Sequence, residues 1–96
     1  MTPVFHPAAA QELAAAAQFY EARAAGLGRD LVFEARHLIK LLCVTPLIGK
    51  PLDKIHKRIP MRRFPLAVIY RVDADVLRVV AVAHRRRRPG YWRQRT

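Results

Sequence analysis

Arginine, histidine and tyrosine crowd one stretch of this 96-residue chain, His84-Arg85-Arg86-Arg87-Arg88-Pro89-Gly90-Tyr91-Trp92-Arg93. These residue types can cleave RNA without a metal. Arg and Lys stabilise the dianionic phosphorane and the leaving group, while Tyr or His moves protons. The same set also suits plain recognition, with Arg for phosphate and Tyr or Trp for stacking on bases or anchoring a protein contact. Composition does not choose between the two. His84, taken alone, reads as a strand-end hydrogen-bonding residue. Other chemistries lack their parts. The chain has no serine, and four scattered glycines cannot build a phosphate loop. His6, His37, His56 and His84 lack metal-ligand spacing, and the single Cys43 cannot help them. No cofactor or metal is expected. Asp73 and Asp75 read as turn residues, not an acid–base pair.

The elements that must position this cluster follow from the hydrophobic pattern. Pro3 and Pro7 disfavour helix before residue 7, so residues 3–6 read as a short extended start. Residues 7–24 are alanine-rich, with Ala9, Leu13, Ala17, Tyr20 and Ala24 on one helical face. Gly26-Leu27-Gly28 stops that helix. A second helix over about 29–44 carries the stripe Leu31, Ala35, Leu38, Leu42. The short turn makes an antiparallel helical hairpin. Phe33 and Val44 point away from the stripe, beside Arg36 and Lys40. Phe33 is therefore a packing contact at the hairpin edge, or an exposed group that a partner covers. Pro46, Gly49 and Pro51 mark a loop. Extended segments follow at 56–63, 66–72 and 76–83, the last two joined by the polar turn Asp73-Ala74-Asp75. Pro60 and Pro65 make the first of them irregular or an edge. The order β-α-α-β-β-β predicts one α+β domain over residues 1–96, a helical hairpin on a small twisted antiparallel sheet.

Charge is unevenly divided. Residues 1–49 carry four basic and four acidic side chains, whereas residues 50–96 carry fourteen and three, the whole of the net +11. A charge of this size raises the local potential by several kT. The arginines begin directly after the apolar run Val76–Ala83 with no flexible linker, so a rigid sheet should hold them as a surface that grips an anion. The apolar fraction of 52% is too high for a disordered chain. No apolar stretch reaches the ~20 residues of a membrane span. The first residues have no signal-peptide pattern, and Cys43 reads as a buried inert thiol. Together these fit a cytoplasmic protein.

The short first strand, the hairpin closed by Gly-Leu-Gly, Arg63-Phe-Pro-Leu-Ala-Val-Ile-Tyr70, and Val79-Val-Ala-Val-Ala-His84 followed by arginines and Tyr91-Trp92 resemble toxins of the RelE/ParE superfamily. These are the toxic halves of bacterial type II toxin–antitoxin modules. The resemblance spans nearly the whole chain. It implies an acidic cognate antitoxin that lays a helix across the helical hairpin and adds a strand to the sheet edge. Phe33, Arg36 and Lys40 are then its expected docking residues. RelE-like members are ribosome-dependent endoribonucleases that cut mRNA, whereas ParE-like members inhibit DNA gyrase. Against the RelE-like catalytic pattern, Arg58, Arg85 and Tyr91 match, but Pro60 and Ala67 stand where cations are expected. Losing a single such group typically costs ~2.7–4 kcal/mol of transition-state stabilisation. No catalytic residue is therefore assigned. The expectation is a ParE-like gyrase inhibitor that contacts its target through Arg85, Arg86, Arg87, Arg88, Tyr91 and Trp92. A RelE-like mRNA interferase is the alternative, and a non-toxic nucleic-acid-binding accessory protein a third reading.

Overall fold

The computed structural model describes residues 1–95. The chain opens with strand β1 (Thr2–Phe5) and turns at His6 into helix α1 (Pro7–Arg23). The His6 Nδ1 accepts the Ala8 N–H at 3.0 Å, and Pro7, with no N–H to leave unpaired, takes the first helical position. Helix α2 spans Leu27–Val44 and buries Leu31, Ala35, Ile39 and Leu42 on one stripe. The two glycines between the helices do different work. Gly26 alone has positive φ, at 87°. Gly28 lies inside α2 at the crossing with α1, where an added Cβ would overlap the Ala17 carbonyl oxygen. The Glu21 carboxylate reaches from α1 to accept the N–H groups of Gly26 and Gly28 at 2.8 and 2.9 Å, which caps the start of α2. Those donated bonds hold its pKa below the ordinary glutamate value.

Beyond the hairpin come β2 (Lys50–Pro51), β3 (His56–Pro60), β4 (Leu66–Asp73) and β5 (Val76–His84). The sheet order is β1-β5-β4-β3-β2. The expected layers are present, a helical hairpin on a small sheet, with three refinements, the first being that the loop expected around Pro46, Gly49 and Pro51 holds the extra short strand β2 paired with β3. Strand β1 pairs in parallel with β5, Thr2 opposite Val76 to Phe5 opposite Val79, so the sheet is mixed rather than wholly antiparallel. A parallel partner needs a long crossover, and here the helical hairpin and three strands intervene. The segment expected to run to residue 63 ends at Pro60, with one further backbone bond from the Met61 N–H to the Leu66 carbonyl at 2.8 Å before the chain turns into β4.

The face of the sheet under the helices holds the main core. Tyr70, Val68, Leu77 and Val79 pack with Ala9, Ile39 and Leu42, and beside them Leu66 and Val82 pack with Leu31, Ala35, Met61 and Phe64. Cys43 sits partly buried against this core. Tyr70 is fully buried, donating its hydroxyl to the Pro46 carbonyl at 2.7 Å and accepting the Gly49 N–H at 2.9 Å. One side chain thereby fastens the loop that leads from α2 into the sheet. No helix among the described residues is long and apolar enough to cross a membrane.

Gly28→Ala is expected to force the helices apart and destabilise the fold by about 1–3 kcal/mol, read as a lower urea midpoint with unchanged slope. A midpoint equal to that of the wild type would show that the crossing has slack.

Candidate functional site

Strands β4 and β5 are apolar on both faces, so the face away from the helices also needs a cover. Residues after His84 supply it. The Arg85 N–H donates to the Pro65 carbonyl at 3.0 Å, and the chain then folds back through turns, with Gly90 at φ 78°. Trp92 is brought down onto Ile69, Val80 and Ala81, leaving only 4% of its surface exposed. Its ring meets that of His56 at 4.6 Å between centroids. Trp92 was expected on the contact surface. In the structure the largest apolar side chain of the tail is almost wholly buried and closes a second, smaller core.

Two carboxylates hold this flap down. Glu12 of α1 forms a paired bond to Arg95, Nη1 and Nη2 each 2.9 Å from a different carboxylate oxygen. It also accepts the Tyr91 hydroxyl at 2.8 Å and the Val82 N–H at 3.0 Å. Arg95 in turn donates to the Val80 carbonyl at 3.1 Å. Burial pushes the Glu12 pKa up, but the donors from Arg95, Val82 and Tyr91 outweigh it, and the net shift is down. Burial, then the Glu12 carboxylate, push the Tyr91 hydroxyl up to about 12. The Arg87 and Arg95 guanidiniums lie 4.0 and 5.0 Å from the Tyr91 ring centroid. The second anchor is Asp53. It accepts the N–H groups of Ile55 and His56, binds the His56 ring at 3.0 Å and pairs with Arg93. The backbone donors hold its carboxyl well below the usual range. The Nε2 of buried His56 has no hydrogen-bond partner among the described residues.

Arg85, Arg86, Arg87 and Arg88 are exposed, as expected, and Arg58 is half-buried on β3. Arg58 and Arg85 line two adjoining hollows. One, of about 170 Å³, is floored by Leu52, Ile69 and Trp92 and flanked by Arg88 and Tyr91. The other lies towards Arg62, Arg63 and Pro65. Pro60 and Ala67 face each other in register across β3 and β4, and Ala67 is 1% exposed. The two positions without a cation are thus one place, which Arg71 and Arg78 do not refill, whereas Arg58, Arg62 and Arg85 line the hollow beside Pro60. Arg71 and Arg78 both bind Asp73, at 3.0 and 3.2 Å, back at the β4–β5 turn. His84 is exposed, its Nδ1 accepting the Arg86 N–H at 3.1 Å. On the helical side, Phe33 is 73% exposed, with Arg36 and Lys40 also exposed along α2. The Phe33 ring lies 6.5 Å from that of His37 and nearly parallel to it. Leu41, Val44, Leu47 and Ile48 continue an exposed apolar strip at the end of α2.

Sequence reasoning missed Glu12, Asp53, Arg93 and Arg95. The signal for Glu12 was present: a lone carboxylate three residues after Ala9 and one before Leu13, at the border of an apolar helical stripe. Because its folded pKa is depressed, its contribution is fully present above the unfolded value, about 4.3, and is lost as pH falls through the native one. Glu12→Gln is expected to cost about 1–2 kcal/mol at pH 7. The gap to the wild type in thermal melts should shrink steadily towards pH 3. A gap independent of pH would mean that Glu12 acts by shape alone.

The family model for the ParE toxin of type II toxin–antitoxin system, parDE, matches residues 4–89. No protein with a curated description matches the sequence. Among solved structures, the chain is similar to the "Chromosomal ParDE TA system from P. aeruginosa", with a TM-score of 0.62 at 11% identity over 88% of this chain and 95% of that one. At that identity the likeness is one of fold. The family match runs from the end of β1 through both helices, strands β2 to β5 and the four consecutive arginines, and stops just short of the flap residues Tyr91, Trp92 and Arg95. The chain belongs to the ParE toxin family of type II toxin–antitoxin systems.

Proposed function

We propose that this toxin arrests growth from within the cytoplasm by inhibiting DNA gyrase, and that an acidic antitoxin neutralises it. The observation that carries the gyrase reading is the state of Tyr91. Its hydroxyl is donated to Glu12 and its pKa is pushed up to about 12, so it is a poor proton carrier near neutrality. Pro60 and Ala67 add no cation beside it. What remains is a row of exposed guanidiniums on a rigid support, a surface suited to contact rather than to bond cleavage. One observation favours the alternative, a ribosome-dependent nuclease: Arg58, Arg85 and Tyr91 do line the same hollow.

Induced expression without the antitoxin should stop growth, and the purified protein should inhibit gyrase supercoiling. Replacing Arg85, Arg86, Arg87 and Arg88 together with alanine should raise the half-inhibitory concentration at least about tenfold while circular dichroism stays unchanged, as truncating hot-spot arginines does. Codon-boundary mRNA cuts that require ribosomes, and that vanish in Tyr91→Phe, would replace this reading with the nuclease one.

The antitoxin is expected on the exposed face of α2. Phe33 offers an apolar anchor with Arg36 and Lys40 beside it, which suits a partner segment mixing apolar and acidic residues. Phe33→Ala should weaken antitoxin binding by about 2 kcal/mol, some thirtyfold in Kd by calorimetry. An unchanged Kd would move the docking site off α2.

A further inference from the structure

The cationic surface is shaped as a track. Arg58 and Arg85 are shared by both hollows, so the small one beside Arg88 runs into an open one of about 490 Å³ beside Arg62. No acidic side chain lines either hollow. The carboxylates nearby are bonded to other groups, Asp30 and Glu34 of them at the Arg62 end of the open hollow. Glu12 holds Arg95, Asp53 holds Arg93, Asp73 holds Arg71 and Arg78, and Asp30 holds Arg63 at 3.5 Å. Glu21 and Glu34 accept backbone N–H groups. Among the described residues, the guanidiniums of Arg58, Arg62, Arg85 and Arg88 have no carboxylate partner. Guanidiniums do not deprotonate, so this row keeps its charge at every physiological pH. A single small anion fills one hollow, whereas a row of cations along two connected hollows matches a chain of anions.

The nature of that chain follows from what the track lacks. Proteins that hold single strands stack bases on exposed aromatic rings. Here Trp92 is buried and the Tyr91 ring is covered by Arg87 and Arg95. Among the described residues the lining holds no Asn, Gln, Asp or Glu to read adenine or cytosine edges, which leaves its arginines, groups that bind phosphate as well as guanine. Phosphate contact without base contact is the mode of sequence-independent duplex binding, and a duplex presents about one charge per 1.7 Å of axis. We propose that the track from Arg62 through Arg58 and Arg85 to Arg88 binds the sugar–phosphate backbone of duplex DNA, without sequence preference and without gyrase. It shares Arg85 and Arg88 with the proposed gyrase surface but does not rest on that reading, because it requires only protein and DNA.

The test is fluorescence anisotropy of the full chain with two labelled 20-base-pair duplexes of unrelated sequence, and with one of the single strands, between 50 and 200 mM KCl. Both duplexes should bind alike. With about four phosphate contacts, affinity should fall roughly a hundredfold across that salt range. Arg58→Gln and, separately, Arg85→Gln should each lower the log–log salt slope by about one, while Arg58→Lys restores it. Arg23→Gln removes the same charge from the end of α1, where Arg23 covers Phe19, and should leave the slope unchanged. No binding at 50 mM KCl would overturn the proposal. So would equal effects of Arg23→Gln and Arg58→Gln, tighter binding of the single strand, or a preference between the duplexes. Supercoiling inhibition measured on the same variants separates the two readings. Inhibition lost only with Arg85 and DNA binding lost with either Arg58 or Arg85 would show two overlapping functions.

Discussion

One carboxylate organises the functional half of this molecule. Glu12 accepts from Arg95, Tyr91 and the Val82 backbone at once, so it ties the first helix, the last strand and the C-terminal flap at one point. Strand β1 ends its pairing at Phe5 opposite Val79, and the rest of the outer edge of β5 has no neighbouring strand. An unpaired edge invites adventitious pairing. Glu12 takes the Val82 N–H and Arg95 takes the Val80 carbonyl, so side chains finish what β1 leaves open. The same bonds press Trp92 into place over Ile69 and Ala81. Without the staple, a segment dense in arginine would repel itself away from the sheet.

The acids do a second service by sorting the arginines. The four that pair with Glu12, Asp53 and Asp73 are structural, fastening the flap or the β4–β5 turn. Arg58, Arg62, Arg85 and Arg88, whose guanidiniums hold no carboxylate among the described residues, line the hollows. The net charge of +11 therefore becomes a directed surface through the placement of seven carboxylates as much as through that of eighteen cations. Phe33 and the apolar strip at the end of α2 lie in the other layer.

Much of this was readable from the residues. Alanine content and an apolar stripe gave both helices to within a few positions, and the turn at residues 73–75 gave the β4–β5 hairpin. The angle of Phe33 to the Leu31–Leu42 stripe left it as a hairpin-edge contact or an exposed group, and the structure exposes it. Other features depend on partners far apart in sequence, which local periodicity does not encode. The parallel place of β1 is one. The burial of Trp92 is another, since a tryptophan next to arginines reads equally as a surface anchor until the second apolar face of β4 and β5 is seen to need a cover. Gly28 reads as a stop signal and is in fact a crossing point, because only the packed hairpin brings Ala17 against it. The division of arginines into anchored and free has no local signature at all.

The Glu12–Arg95 bond joins residues 83 positions apart, and β1 pairs with a strand from the far end of the sheet. Contacts of such long range form late, because their loop entropy must be overcome before they reward the chain. A nascent chain emerging N-terminus first thus has its helical hairpin early but no partner for β1 or Glu12 until residues 76–95 have followed. The folded flap, and with it the ordered row of arginines, forms only after the helical hairpin and the strands have been made. The face of α2 is made well before that, so a partner of the kind proposed there meets the chain before the proposed target surface has formed.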